Sequence, residues 1–154
     1  MEIYTNKVEE TKKLAFTIGR LVNPPFFIAL KGDLGAGKTA FTQGLAEGLE
    51  TDPSLYVTSP TYNIVQIYPG DKQLVHCDLY RISDIDELEL TGFFDAVEEP
   101  PSVAAIEWPE RIEDDFEFDI IIDIKIMTGD KREISLISCG LKGLHLIEKL
   151  RSFR

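Results

Sequence analysis

Eight consecutive residues match a phosphate-binding loop at every defined position: Gly32-Asp33-Leu34-Gly35-Ala36-Gly37-Lys38-Thr39. The glycines let such a backbone curl so that several N–H groups converge on phosphate oxygens, and the following helix points its positive end at them. Lys38 can reach the terminal phosphates, and the hydroxyl of Thr39 can bind Mg²⁺. The loop therefore predicts a nucleotide site, with ATP or ADP and Mg²⁺ as its expected ligands.

Two acidic residues come at the ends of apolar, strand-length runs. Asp78 ends the run 74–78, and Glu107 follows the run 103–106. Acids in this position lie where an α/β sheet forms its ligand crevice. One should bind Mg²⁺ directly or through water, and the other should orient the attacking water. Spacing alone does not say which acid does which, and each alone could be a solvated strand terminus.

The elements that must position these groups follow from the apolar pattern. Helices are predicted over residues 8–22, 38–49, 84–96 and 141–150, with Ser83 or Asp84 as the N-cap of the third. Strands are predicted over residues 26–30, 63–68, 74–78, 103–106, 120–127 and 133–138.

Turn-rich segments separate two pairs of these strands. They are Pro69-Gly70-Asp71-Lys72 and Thr128-Gly129-Asp130-Lys131, and each predicts an antiparallel hairpin. Helices interleaved with strands predict an α/β fold: a three-layer P-loop NTPase-like domain with a mixed central sheet and two hairpins. A length of 154 residues fits one domain over residues 1–154.

Composition limits the classes of partner and compartment. The net charge of −11 argues against autonomous nucleic-acid binding, which depends on Lys and Arg. The acid is concentrated in residues 84–89 and 98–119, either as solvated faces or as a docking face for a basic partner. Two cysteines, no apolar run at the N-terminus and no segment near the ~20 apolar residues of a membrane span predict a cytoplasmic protein without membrane contact.

Four segments together resemble the TsaE family, the bacterial tRNA threonylcarbamoyladenosine biosynthesis ATPases. They are the loop at residues 32–39, Thr58-Ser59-Pro60-Thr61-Tyr62, His76-Cys77-Asp78-Leu79-Tyr80-Arg81 and Ile106-Glu107-Trp108-Pro109-Glu110. All occur in the family's order and at similar separations. The Asp-Leu-Tyr-Arg and Glu-Trp-Pro-Glu pieces carry the resemblance, because a phosphate-binding loop alone indicates only a superfamily.

The resemblance also implies roles for individual residues. Those that would hold the nucleotide are Gly35, Ala36, Gly37, Lys38, Thr39 and Ala40, with Arg132 reaching it from the last hairpin and Val8 beside the adenine. Thr39 and Glu107 would bind Mg²⁺. Asp78 would be the acid needed for hydrolysis, and Trp108 would lie against the site and support activity. Residues 58–62 would form a switch loop that responds to the γ-phosphate, with a plain proline turn as the alternative.

The family implies a Mg²⁺-dependent ATPase, slow alone, that is required for threonylcarbamoyladenosine modification of tRNAs reading codons that start with A. Its partner would be the threonylcarbamoyl transferase heterodimer of TsaB- and TsaD-like proteins, bound in a nucleotide-dependent way, with tRNA contacted only indirectly. The alternative function is a small-molecule or nucleotide kinase. Such enzymes need several arginines around their phosphates, and this chain has six, two of them among its last four residues.

Three neighbours of these motifs carry other expectations. His76 is expected to be structural and Cys77 to be a core residue, since no base stands at a spacing that would activate its thiol. Arg81 could contact phosphate or pair with a carboxylate of the acid-rich helix, and the sequence favours neither.

Overall fold

A single mixed sheet of seven strands lies at the centre of the computed structural model, which describes residues 1–60 and 63–152. In chain order the elements are β1 (Glu2–Thr5), α1 (Val8–Leu21), β2 (Phe26–Lys31), α2 (Lys38–Gly48), β3 (Val65–Tyr68), β4 (Leu74–Asp78), α3 (Ile85–Glu89), α4 (Phe93–Glu98), β5 (Val103–Glu107), a 3₁₀ turn (Pro109–Arg111), β6 (Ile120–Ile126), β7 (Arg132–Ser138) and α5 (Leu141–Ser152). Within those described ranges, every helix is too short or too polar to cross a membrane.

The strand order across the sheet is β1-β7-β6-β2-β5-β4-β3. The four inner strands β6, β2, β5 and β4 run parallel to one another, so their carboxyl ends meet at one edge. Both β3–β4 and β6–β7 are antiparallel, and β1 adds a third antiparallel pair with β7. The predicted mixed sheet and its two hairpins are therefore confirmed.

The sheet separates two apolar cores, as the predicted three-layer architecture requires. Along β2, Ile28 and Leu30 face the core beneath α1, α2 and α5, while Phe27 packs into the core beneath α3 and α4. Both faces of the central strands are buried, which explains their continuous apolar sequence. Aromatic rings fill much of the second core, where Phe116 contacts the rings of Phe27 and Phe93.

The structure departs from the predicted elements in two places. The helix predicted over residues 84–96 is two short helices, α3 and α4, because Gly92 between them adopts a left-handed backbone with φ of +80°. Asp84 does cap α3, and its carboxylate accepts the backbone N–H of Glu87 at 3.0 Å. The strand β1 was not predicted at all. The boundaries of the other predicted elements agree with the structure to within two residues.

Helices α1 and α2 come into backbone contact where α2 carries glycines. A Cβ atom at Gly44 would collide with the backbone carbonyl of Lys12, and one at Gly48 would collide with that of Phe16. Only glycine, which has no Cβ atom, can therefore occupy positions 44 and 48 without displacing α1. The contact fixes the position of α2, whose first residue is the lysine of the phosphate loop.

Candidate active site

The phosphate loop connects the end of β2 to the first turn of α2. Gly35 and Gly37 have φ of +79° and +111°, a left-handed region that residues with a Cβ rarely adopt. Gly37 is the N-cap of α2, so the helix begins at Lys38 with Thr39 as its second residue. The loop is therefore placed at the positive end of an α-helix of eleven residues.

The Lys38 side chain is buried within this loop. Its Nζ donates hydrogen bonds to the backbone carbonyls of Gly32 at 2.5 Å and Asp33 at 3.2 Å. The same Nζ lies 5.5 Å from the centre of the Trp108 ring, within the range of a cation–π contact. The ammonium group therefore lies between the loop and the residues that follow β5.

Asp78 and Glu107 are brought together by strand register. They are the last residues of the adjacent parallel strands β4 and β5, and the pairing places them side by side. Both line a cleft of about 490 Å³ next to the phosphate loop. The residues around that cleft are Leu34, Lys38, Ser59, Pro60, Ile64, Asp78, Tyr80, Arg81, Glu107 and Trp108.

The two carboxylates have different surroundings. Burial raises the pKa of Asp78 above its ordinary value, although the backbone N–H of Tyr80, 3.0 Å from Oδ1, opposes this shift. Glu107 is only 4% exposed, and its Oε1 lies 3.0 Å from Nε2 of His76, which is fully buried. Asp78 is thus a partly exposed acid at the cleft, whereas Glu107 is hydrogen-bonded to the buried imidazole of His76.

The contact between His76 and Glu107 is a feature of this site that the sequence does not predict. It is buried in β4 as expected of a structural residue, but its ring nitrogen contacts the carboxylate of Glu107. Strand alternation could have given a hint, because residues 76 and 78 lie on the same face of β4. Cys77 points to the opposite face and lies in the second apolar core, where burial raises the pKa of its thiol.

Trp108 turns the chain away from β5 with an uncommon backbone. Its φ of +56° and ψ of +48° lie in the left-handed region, which few residues other than glycine occupy. This conformation brings the indole within 5.2 Å of the Tyr80 ring and over the Lys38 ammonium. Trp108 therefore lies beside Lys38 at the cleft, and its expected role in activity stays a prediction.

Five residues expected to hold the nucleotide surround a small depression of about 60 Å³. Val8, Ala36, Gly37, Ala40 and Arg132 all line it, together with Thr11 and Asp130. Nε of Arg132 donates to the carbonyl of Ala36 at 2.8 Å, and its terminal nitrogen reaches the carbonyl of Gly35 at 3.4 Å. Arg132 thereby connects the start of β7 to the phosphate loop.

Strand β1, which the sequence does not predict, contacts two residues that line this depression, Thr11 and Arg132. Its last residue, Thr5, is the register partner of Arg132 in β7. The buried hydroxyl of Thr5 lies 2.9 Å from that of Thr11 in α1. The N-terminal segment is therefore fixed both to the last hairpin and to the helix that carries Val8.

The residues that could hold a metal are few. In the described ranges, no three His, Cys, Asp or Glu side chains are grouped so that they could hold an ion. Glu107 and Thr39 would supply a carboxylate and a hydroxyl, which are the hard oxygen donors that Mg²⁺ prefers. Because Mg²⁺ is commonly bound by one or two protein oxygens together with nucleotide phosphates and water, this donor set fits it.

The predicted switch segment is only partly described. Ser59 and Pro60 line the cleft, whereas Thr61 and Tyr62 lie outside the described residues. Arg81 also lines the cleft, and no ion pair joins it to a carboxylate within residues 1–60 and 63–152.

Comparisons with known proteins place this site in context. Residues 5–134 match the family model "Threonylcarbamoyl adenosine biosynthesis protein TsaE". The chain is 38% identical over 136 residues to the tRNA threonylcarbamoyladenosine biosynthesis protein TsaE of Aquifex aeolicus, with 88% of this chain and 94% of the relative covered. It is 38% identical over 145 residues to the protein of that name in Bacillus subtilis, with 92% and 88% covered. The crystal structure of Bacillus subtilis YdiB is similar with a TM-score of 0.78 and 33% identity, covering 99% of this chain and 95% of the other.

Proposed function

This chain belongs to the TsaE family, and on that premise we propose that it binds and hydrolyses ATP as an accessory protein in threonylcarbamoyladenosine modification of tRNA. The observation that supports the ATPase role most directly is the meeting of three groups in one cleft. Lys38 of the phosphate loop, Asp78 and Glu107 all line it. A phosphate-binding lysine, an acid that can bind the metal and an acid that can position the water are groups that recur in Mg²⁺-dependent phosphoryl transfer.

The nucleotide would lie across the N-terminus of α2. The backbone N–H groups of residues 35–40 would face the phosphates, and Lys38 would neutralise the terminal ones. The depression beside Val8 and Arg132 would receive the base side. Arg132 supports this placement because it holds the carbonyls of Gly35 and Ala36 and so fixes the shape of the loop.

Mg²⁺ would be bound by Thr39 and Glu107. When bound, it would neutralise charge on the phosphate oxygens and help to orient the terminal phosphate. The remaining acid, Asp78, would accept a hydrogen bond from the attacking water and orient it. This division follows from the surroundings of the two acids, since Asp78 is the more exposed and Glu107 is already fixed by His76.

The expected partner is the threonylcarbamoyl transferase heterodimer of TsaB- and TsaD-like proteins. We propose that ATP binding shapes the surface that this pair recognises, and that hydrolysis releases the complex. A net charge of −11 supports a role through a protein partner, because direct contact with the tRNA backbone would favour a basic protein.

The test is a pull-down of the transferase pair by this chain with ATP, ADP or no nucleotide, scored together with phosphate release. We expect capture to depend on the nucleotide and phosphate release to rise when the pair is added. Equal capture in all three states would contradict the nucleotide-dependent switch. Transfer of the γ-phosphate to a small molecule instead of water would favour the kinase alternative.

A further inference from the structure

We propose that His76 is a positioning residue for Glu107, acting through a hydrogen bond that sets which carboxylate oxygen faces the magnesium site. This inference rests on the proposed Mg²⁺-ATP function and assigns a role to a residue outside the phosphate loop and the two acids.

The relationship begins with strand register. His76 is the register partner of Ala105 in β5, and Glu107 stands two residues beyond Ala105 on the same face. Because Ala105 ends at a methyl group, the imidazole can extend along the strand and reach the carboxylate. The resulting distance between Nε2 and Oε1 is 3.0 Å, which is a hydrogen bond between two buried groups.

The proposed role of Glu107 implies where the proton of this pair lies. A carboxylate that binds Mg²⁺ is ionised and can only accept hydrogen bonds, so in that state Nε2 of His76 would carry the proton and donate to Oε1 of Glu107. Nδ1 is then an acceptor, and it has no hydrogen-bond partner among the described residues. The hydrogen bond occupies Oε1, which leaves Oε2 as the oxygen that His76 does not engage.

The unpartnered Nδ1 argues against a purely structural role. A buried polar atom without a partner is destabilising, and the neighbouring positions of β4 are filled by Leu74, Val75 and Cys77 without that penalty. An apolar side chain at position 76 would pack at lower cost but could not orient Glu107. Residues that hydrogen-bond a metal-binding carboxylate typically change metal affinity about 10- to 100-fold when they are replaced.

Two amide substitutions separate positioning from packing. In His76→Gln the side-chain amide nitrogen lies near the position of Nε2. In His76→Asn the amide nitrogen lies near the position of Nδ1, because the side chain is shorter, and it does not reach Glu107. Val75→Ala is the matched control, because it removes buried volume from the adjacent position of β4 on the opposite face of the sheet.

The measurement is ATP affinity by calorimetry over a series of Mg²⁺ concentrations, with a parallel series in EDTA and a melting curve for each variant. The Mg²⁺ midpoint is the Mg²⁺ concentration at which half of the Mg²⁺-dependent gain in ATP affinity is reached. His76→Asn should raise this midpoint about 10-fold or more and leave the ATP affinity in EDTA unchanged. His76→Gln should stay within a few-fold of the wild type. Val75→Ala should lower the melting temperature without moving the Mg²⁺ midpoint.

The proposal is overturned if His76→Asn and His76→Gln have the same Mg²⁺ midpoint, or if Val75→Ala shifts it as much as His76→Asn does. Should His76→Asn fail to fold while His76→Gln folds with a wild-type midpoint, the retained donor at the Nε2 position supports the proposal, and a shifted midpoint in His76→Gln contradicts it. Failure of the proposed function looks different, because the wild type itself would then show no Mg²⁺-dependent ATP binding.

Discussion

Asp78 and Glu107 stand opposite one another as the final residues of two adjacent parallel strands, yet only Glu107 is almost fully buried and bonded to an imidazole. This difference divides their proposed roles. In the proposed function the hydrogen bond to His76 orients Glu107 for a cation, whereas Asp78 faces the cleft beside Tyr80 and Trp108.

Neutralising the two acids should therefore affect ATP affinity and turnover differently. Asp78→Asn should keep Mg²⁺-dependent ATP affinity and lose about 10²- to 10⁴-fold in turnover, the usual contribution of a positioned acid or base. Glu107→Gln should lose the Mg²⁺-dependent part of the affinity as well. Calorimetry with Mg²⁺ and with EDTA, beside phosphate release, measures both. Identical affinity profiles for the two variants would contradict the division of roles.

Trp108 should report nucleotide binding directly, because it is the one tryptophan in the sequence and its ring lies 5.5 Å from Nζ of Lys38. Phosphate oxygens should draw Nζ away from the carbonyls of Gly32 and Asp33, and the indole emission should change with ATP concentration. Lys38→Met should abolish that change. Lys31→Met serves as the control, since its ammonium pairs with Glu110 and Glu113 instead. A wild-type emission that ignores saturating ATP would contradict the placement of the phosphates.

Arg132→Gln should weaken ATP binding about 10-fold, which corresponds to ~1.4 kcal/mol. The substitution removes the charged donor that fixes the carbonyls of Gly35 and Ala36, so the loop has to be ordered when the nucleotide binds. Lys131→Gln removes the same charge one residue earlier, at an exposed position, and should leave ATP affinity within about two-fold. Equal losses in the two variants would show that net charge, and not the hydrogen bonds, sets the affinity.

Gly44→Ala should destabilise the fold by about 1–3 kcal/mol, because the new methyl group collides with the carbonyl of Lys12 and forces α1 away from α2. Urea unfolding measures the loss. The control is Gly140→Ala, where an added Cβ atom meets nothing within 4 Å and the expected change is below about 0.5 kcal/mol. A Gly44→Ala variant as stable as the wild type would mean that the two helices can separate freely.

The sequence predicted those parts of the fold whose signals are local. The apolar runs of β2, β4 and β5 and the turn residues of both hairpins are visible in short windows. The strand β1 has no such signal. It is four residues long, exposes Glu2 and Tyr4, and is a strand because it pairs with β7 about 130 residues away. Gly92 broke the third predicted helix through a backbone conformation that periodicity does not encode.

The same distinction applies to the site. The loop at residues 32–39 and the strand-end acids could be identified from residue type and position alone. The contact between His76 and Glu107 could not, because it depends on which two strands are neighbours and on the small size of Ala105 between them. Sequence order gives no indication that β4 lies beside β5 and that β2 lies on the other side of β5.

The bond between Arg132 and the phosphate loop also has a consequence during synthesis. Ala36 emerges from the ribosome 96 residues before the arginine that fixes its carbonyl. Strand β2 also precedes its neighbours by a long way, since Phe26 pairs with Val103 in β5 and Ile28 pairs with Ile120 in β6. The proposed nucleotide site is therefore complete only when nearly the whole chain is available. A nascent or truncated chain that ends before β7 carries the full phosphate-loop sequence but lacks the residue that fixes its shape. If the proposed ATP binding holds, we therefore expect ATP to stabilise the finished protein and not its early fragments.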